Sequence, residues 1–156
     1  MRVLRLLPLV LLGAACGGSE STEPQVQVIE TATFAPSLGI DLATFTKNAN
    51  GLYFKELVVG TGALSENGNL VGVRYKGQLI DGAVFDENPA PKAVLTFRIG
   101  AGTVVPGFEQ GARGMRVGGK RMVIIPPILG YGSKGSGAVP ANAIMVFTID
   151  LVSVQP

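Results

Sequence analysis

The strongest constraint on the fold is a repeated alternation of apolar and polar residues. Over residues 71–79, VGVRYKGQL, apolar and polar side chains fall on opposite faces of an extended strand. The same period of two recurs from Leu95 to Ile99 and from Met145 to Leu151. This is the repeat of a β-strand with one buried and one solvated face. The chain is therefore predicted to be built around an antiparallel sheet.

Two more strands and one helix complete the predicted architecture. Residues 52–59 form one strand, and KRMVIIPP, residues 120–127, forms a short apolar strand that two prolines end. In PGFEQGARGM, residues 106–115, apolar residues recur at helical spacing, which predicts one short helix ending around Gly114. A helix of this length needs the sheet for stability. We therefore predict an α+β fold, a five-stranded antiparallel sheet wrapped around one short helix.

Composition excludes several classes of function. The chain has 156 residues and no histidine, so Ser-His-Asp triads and histidine-based zinc sites are excluded. Of its 13 basic residues, Arg2 and Arg5 lie in the N-terminal segment discussed next, which leaves 11 basic against 11 acidic residues. A net charge of zero provides no field for nucleic acid. We expect no nucleic-acid partner, no metal and no other cofactor.

The first 16 residues, MRVLRLLPLVLLGAAC, have the order of an export signal: arginines, a short apolar run, then small residues. The only cysteine, Cys16, follows at once, and the segment resembles a bacterial lipoprotein signal, in which this cysteine is acylated. The resemblance implies that residues 1–15 are a signal peptide. The protein would then be exported and lipid-anchored to a bacterial membrane, facing the periplasm or the cell exterior. That pattern prefers leucine where this chain has Gly13, so cleavage after Ala15 without lipidation stays open.

Two segments separate this signal from the strand-rich part of the chain. Residues 16–24, from Cys16 through GGSESTEP, have the small polar composition of a flexible tether. Residues 25–50 form an N-terminal extension without a clean period. Leu38, Leu42 and Phe45 have helical spacing, which predicts one short helix there.

Between Gly51 and Val154 the chain contains, in order, the motifs GLYFKELVVGTG, VRYKGQLIDGAVFDEN, FRIGAGTVVPGFEQGARGMRVGGKRMVIIPP, YG and AIMVFTIDLVSV. With these motifs in this order, the segment resembles an FKBP-type peptidyl-prolyl cis/trans isomerase. The resemblance implies an FKBP-like isomerase domain over residues 51–156, and the signal and tether resemble secreted, lipid-anchored bacterial members. It also implies isomerisation of X-Pro bonds during the folding of extracytoplasmic proteins, in proline-containing polypeptide substrates. Macrolides such as rapamycin and tacrolimus would be ligands. We expect a monomer.

The resemblance also assigns the substrate pocket. Asp86 would be the carboxylate that faces the pocket, bonded by the Tyr75 hydroxyl, while the Val105 N–H and the Tyr131 hydroxyl would hold substrate carbonyls. From the residues alone, Asp86 fits a turn and the strand aromatics fit the core, and that interpretation stays open. The nine implied residues are Tyr75, Phe85, Asp86, Phe97, Val104, Val105, Phe108, Tyr131 and Phe147.

Three departures from the family pattern bear on activity. Phe108 stands where the family most often has tryptophan, the floor of the pocket, and Leu95 stands where a pocket aromatic is common. The loop after Tyr131, GSKGSGAVPAN, is one residue shorter than is typical. The alternative function is therefore a proline-peptide-binding or chaperone-like module of the same fold with weak turnover.

Overall fold

The computed structural model describes residues 26–156, in which one antiparallel sheet of seven strands is packed against one α-helix. The strand order is β1-β2-β6-β7-β3-β4, and β5 also pairs with β3. The strands are β1 (Thr46–Lys47), β2 (Tyr53–Val58), β3 (Leu70–Leu79), β4 (Val84–Glu87), β5 (Leu95–Arg98), β6 (Lys120–Ile125) and β7 (Met145–Gln155), and the helix is α1 (Pro106–Ala112).

The predicted α+β class is confirmed, but the strand count of five is too low. The five expected strands are present, with β2 one residue shorter at each end than residues 52–59. The sequence analysis missed β1 and β4, which are two and four residues long. Strand β1 is too short to show a period of two, and β4 has no buried face because three of its four residues are exposed. Both form because a longer neighbour, β2 or β3, offers backbone partners. The helix ends at Ala112, not around Gly114.

Two glycines let α1 lie directly on β6. A Cβ at Gly107 would be 2.4 Å from Cγ2 of Ile125, and one at Gly111 would be 2.8 Å from Cγ2 of Val123. Both distances are too short for real carbon contacts, so the helix could not approach this closely with larger residues. The core between helix and sheet contains Phe108 and Ala112 on the helix side, both almost fully buried.

Strand β3 organises the sheet. Along one side it pairs with β7 from Leu70 to Leu79. Along the other side it pairs first with β5, opposite Leu70–Val73, and then with β4, opposite residues 76–78. The partner on this side changes from β5 to β4 in the middle of β3. The segment around Tyr75 therefore lies between the first residue of β5, Leu95, and the last residue of β4, Glu87.

The N-terminal extension covers the opposite face of the sheet. Ile124, Ile144 and Val146 alternate with the residues that face α1, so they point away from the helix. They form a second apolar cluster with Ile29 and Leu38. The described part of the extension therefore contributes core residues.

The short helix predicted in the extension is wrong. Two 3₁₀ turns stand there, Pro36–Leu38 and Leu42–Thr44. Gly39 follows the first turn in the left-handed region, with a φ of 60°, and this breaks any continuous helix. The helical spacing arises because consecutive turns bring Leu38 and Leu42 onto the same sheet.

Predictions for the first 25 residues fall outside the described range. These are the signal peptide over residues 1–15, acylation of Cys16 and the tether over residues 16–24. Within residues 26–156, no helix has the length and apolar character required to span a bilayer.

Candidate active site

A cavity of about 420 Å³ opens beside the N-terminal end of α1. Its wall combines the helix, strands β3, β5 and β7, the end of β4, and two loops. The lining residues are Tyr75, Asp86, Leu95, Gly102, Thr103, Val104, Val105, Phe108, Tyr131 and Phe147.

Seven of the nine predicted residues line this cavity, and the other two, Phe85 and Phe97, support it from behind. The Phe97 side chain is 4% exposed, and its ring centroid lies 5.7 Å from that of Phe108. The Phe85 ring meets the Phe147 ring edge to face at 5.4 Å. These two phenylalanines fix the positions of lining rings.

An aromatic cluster forms the apolar part of the wall. Phe108 is 3% exposed, and its ring makes edge-to-face contacts with Phe147 at 5.0 Å and with Tyr75 at 5.4 Å. Such arrangements bring the positive edge of one ring to the negative face of the next. The floor of the cavity is therefore a fixed apolar surface that offers water no hydrogen-bonding partner.

A single carboxylate, Asp86, lines the cavity, and it is bonded to Tyr75. The Tyr75 hydroxyl donates a hydrogen bond of 2.7 Å to Oδ2 of Asp86. Burial of the phenol, and after it the hydrogen bond to Asp86, raises the pKa of Tyr75 to about 12. The phenol thus stays protonated and keeps donating to Asp86, which orients the ring against Phe108.

Turnover at this site is expected to stay constant between about pH 6 and about pH 9. The chain has no histidine. A phenol whose pKa is raised above its ordinary value stays neutral through this whole window, so Tyr75 does not change state there. The measurement is kcat/KM across the window for the proline peptide substrate that the family resemblance implies. A bell-shaped profile would mean that Asp86 or a tyrosine of the cavity takes part in a proton transfer that rotation about a peptide bond does not need.

Two donors at the cavity have no partner among residues 26–156. Val105 caps α1, and its carbonyl accepts hydrogen bonds from the backbone N–H groups of Phe108 and Glu109, but its own N–H donates to no described group. The hydroxyl of Tyr131, a residue that is 39% exposed, is also without a described partner. Both groups can therefore donate to a carbonyl that enters the cavity.

Sequence reasoning missed two lining residues, Gly102 and Thr103. They precede Val104 directly, so their place next to predicted pocket residues was the available signal. The Gly102 N–H donates a 3.0 Å hydrogen bond to Oε2 of Glu109, which ties this loop to the helix. Leu95 also lines the cavity. From the sequence, this residue is a departure from the family pattern, and it is not included among the nine predicted pocket residues.

The described residues contain no group of three or more histidine, cysteine, aspartate or glutamate side chains placed to hold a metal ion. Asp86 is the only ionisable group in the cavity besides the two tyrosines. The site therefore offers an apolar floor, neutral donors and one carboxylate.

Comparison with known proteins shows which family has this architecture. Residues 62–152 match the model of the FKBP-type peptidyl-prolyl cis-trans isomerases, which is more than half of the chain. The chain belongs to this family. A crystal structure of FkpA from Escherichia coli has a TM-score of 0.67 and 32% sequence identity to this FKBP-type chain, covering 78% of it and 55% of the solved chain.

Curated relatives of this FKBP-type chain include plant and fungal proteins. Peptidyl-prolyl cis-trans isomerase FKBP15-3 of Arabidopsis thaliana is 37% identical over 141 residues, which is 88% of this chain and 98% of the relative. FK506-binding protein 3 of Candida albicans is 44% identical over 105 residues, or 67% of this chain. The chain spans about a quarter of that fungal relative's length, 24%.

Proposed function

We propose that the chain is a peptidyl-prolyl cis/trans isomerase that acts on X-Pro bonds of polypeptides folding outside the cytoplasm. The observation that carries the proposal is the cavity itself. It joins an aromatic floor to two unpartnered donors, the Val105 N–H and the Tyr131 hydroxyl. Family membership and the Arabidopsis relative's name support the same activity.

The reaction requires no bond cleavage. Rotation about an X-Pro bond crosses a barrier of about 18 to 20 kcal/mol and takes tens to hundreds of seconds unaided. In the twisted transition state amide resonance is lost, so the carbonyl is less polar than in the planar ground state. An apolar cavity around Phe108 and Phe147 therefore favours the twisted amide more than water does. This accounts for a site without a nucleophile.

The two donors supply orientation. A carbonyl of the substrate bonded to the Val105 N–H and another bonded to the Tyr131 hydroxyl would fix the chain on both sides of the rotating bond. The proline ring would then lie on Phe108, the ring at the centre of the cluster. Fixing the ends lowers the entropy lost on reaching the transition state.

The protein is expected to accelerate the slow phase of a refolding reaction that is limited by proline isomerisation. Rapamycin or tacrolimus should remove the acceleration, because a macrolide filling the cavity excludes the substrate. The measurement is the slow-phase rate against protein concentration, with and without macrolide. A refolding reaction without a proline-limited phase is the control and should not respond. Full acceleration in saturating macrolide would contradict the assignment of the cavity.

Removing the polar groups of the cavity is expected to lower turnover with little change in melting temperature. Asp86→Ala and Tyr131→Phe each remove a group that faces the substrate and keep the aromatic floor, so some activity remains. Asp81→Ala is the matched control, because Oδ1 of Asp81 accepts a 2.9 Å hydrogen bond from the Ala83 N–H in a turn. It should cost stability and spare turnover.

The structure places Asp86 within β4 and not in a turn, so a purely structural role would rest on the hydrogen bond that it accepts from Tyr75. In that case Asp86→Ala would lower the free energy of unfolding by about 0.5 to 1.5 kcal/mol and leave turnover unchanged. Kinetics and thermal unfolding, measured on the same samples, distinguish a substrate-facing role of Asp86 from a structural one.

The second candidate function is a proline-peptide-binding or chaperone-like module with weak turnover. Phe108 and Leu95 favour it, since both line the cavity and each is smaller than the aromatic residue usual in the family. Binding of a proline peptide without faster isomerisation would select this module. Binding titration and turnover measurements on the same peptide distinguish the isomerase from the binding module.

The cellular setting belongs to the same proposal. Residues 1–15 would be removed as a signal peptide. Acylated Cys16 and residues 17–24 would tether the protein to a bacterial membrane. Residues 25–50 would form the extension, and residues 51–156 the isomerase domain. The order of residue types in MRVLRLLPLVLLGAAC supports this. The domain would work as a monomer on the periplasmic or outer side.

A further inference from the structure

Three exposed aliphatic side chains surround one groove on the surface of the domain. Val26, Val28 and Ile128 are 64%, 50% and 83% exposed. They line a groove of about 200 Å³ together with Pro126 and Pro127. Apolar residues that are exposed singly are normal on a protein surface, whereas a contiguous exposed apolar patch is typical of a contact site.

The two valines are held in place by Gln27. Its backbone N–H donates to the carbonyl of Asn142 at 3.3 Å, and its Oε1 accepts a 2.8 Å hydrogen bond from the Ile144 N–H. Because side chains alternate along an extended segment, anchoring Gln27 toward the domain turns Val26 and Val28 away from it. The exposure of the valines is thus fixed by the fold.

The groove has no uncompensated charge. Glu30 is the only charged residue in its lining, and its Oε1 accepts hydrogen bonds from Lys47 at 2.5 Å and from the Tyr53 hydroxyl at 2.7 Å. The groove can therefore enter an apolar phase without stripping water from an unpaired ion.

We propose that Val26, Val28 and Ile128 form a membrane-contact patch that rests on the bilayer, an inference that depends on the proposed lipid anchor at Cys16. Nine residues of the sequence, GGSESTEPQ, separate Cys16 from Val26. A flexible chain of that length has a root-mean-square span of about 17 Å, so the patch lies at the anchored end of the domain. The linking residues are too polar to cover the patch themselves.

The size of the patch favours a bilayer over a protein partner. Three aliphatic side chains offer far less than the roughly 800 Å² per partner of a stable protein interface. A bilayer needs no matched surface, and the tether raises the local concentration of the patch enough for a weak contact to be populated. Ile128 is three residues from Tyr131, so the contact would hold the cavity rim within about 11 Å of the patch.

The test uses the absence of tryptophan from the chain. Ile128→Trp places one fluorophore in the patch. The control variant is Val152→Trp, at a position on β7 that is 43% exposed. Val152 lies about 23 Å along β7 from Met145, the first residue of the strand. Residues 16–156, the chain that remains after the proposed cleavage, are coupled through Cys16, the only thiol, to maleimide lipid in phosphatidylcholine vesicles that contain brominated phosphatidylcholine. We expect loss of emission and a blue shift for Ile128→Trp only. Anionic lipid should not increase the effect, since the groove is neutral.

Three results would overturn the proposal. They are equal quenching of the two variants, no quenching of either, and a shift of the Ile128→Trp emission by soluble proline peptides without vesicles. The last result assigns the patch to polypeptides if the shift persists when rapamycin fills the cavity. Chemical coupling keeps this test independent of acylation in the cell, which mass spectrometry of membrane-extracted protein measures separately. Circular dichroism confirms that Ile128→Trp is folded, and its turnover of a soluble peptide tests the isomerase proposal separately.

Discussion

Replacement of Arg121 by leucine is expected to lower the free energy of unfolding by about 3 to 5 kcal/mol. Arg121 is 6% exposed, and its Nη1 donates to the carbonyls of Gly111 at 2.8 Å and Arg113 at 2.9 Å. Its Nη2 donates to the carbonyl of Gly114 at 3.3 Å and also bonds to Glu56. Gly111 lies in the last turn of α1, and Arg113 and Gly114 directly follow the helix, so these carbonyls have no partner within it.

Leucine would fill part of the volume but leave those carbonyls and the Glu56 carboxylate without their donor. Lys120→Leu, at the adjacent position, is the matched control. Its ion pair with Asp150, at 3.1 Å, joins side chains that are 42% and 41% exposed. Such a pair contributes about 0 to 1 kcal/mol. Urea unfolding of both variants is the measurement, and equal losses would mean that Arg121 does not stabilise the end of the helix.

Substitution Cys16→Ser is expected to move the protein from the membrane fraction to the soluble fraction. The chain has no second cysteine that could be acylated in its place. Two or more acyl chains anchor a protein stably, whereas the polar residues that follow Cys16 offer no apolar area to a bilayer. The measurement is fractionation of bacterial cells with mass spectrometry of the recovered protein.

The tether supplies the control for this experiment. Ser19→Ala changes a neighbouring residue by about the same amount and leaves the thiol intact, so this variant should remain with the membrane. Wild-type protein that is soluble and carries no acyl group would refute the anchor and favour cleavage after Ala15. The isomerase activity is independent of that outcome.

Strands with one buried face were predictable from the alternation of their residues. Residues 71–79, 95–99 and 145–151 show the alternation in their own sequence, and β3, β5 and β7 form there. Strand β4 gives no such signal, since three of its four residues are exposed and its pairing comes from β3. The spacing of apolar residues in the extension predicts a helix where the structure has two turns. That spacing shows which side chains share a surface, but it does not show how the backbone connects them.

The cavity was predictable mainly through the family resemblance. Strand alternation assigns Phe97 and Phe147 to the core, helical spacing assigns Phe108 there, and all three are at most 5% exposed. Which of these rings reaches the cavity depends on the helix position, which Gly107 and the loop through Gly102 determine. The donors at Val105 and Tyr131 could not be found from residue type, because one is a backbone group and the other is defined by having no partner.

The packing of the extension also constrains the order in which the domain can fold. The Ile144 N–H bonds to Gln27 across 117 residues, and Ile29 packs in one cluster with Ile144 and Val146. A chain made from its N-terminus exposes Ile29 long before its partners on β7 exist. The contacts of the extension with Ile144 and Val146 therefore cannot form until almost the entire chain has been made. The first described segment to be synthesised is thus among the last to reach its native contacts.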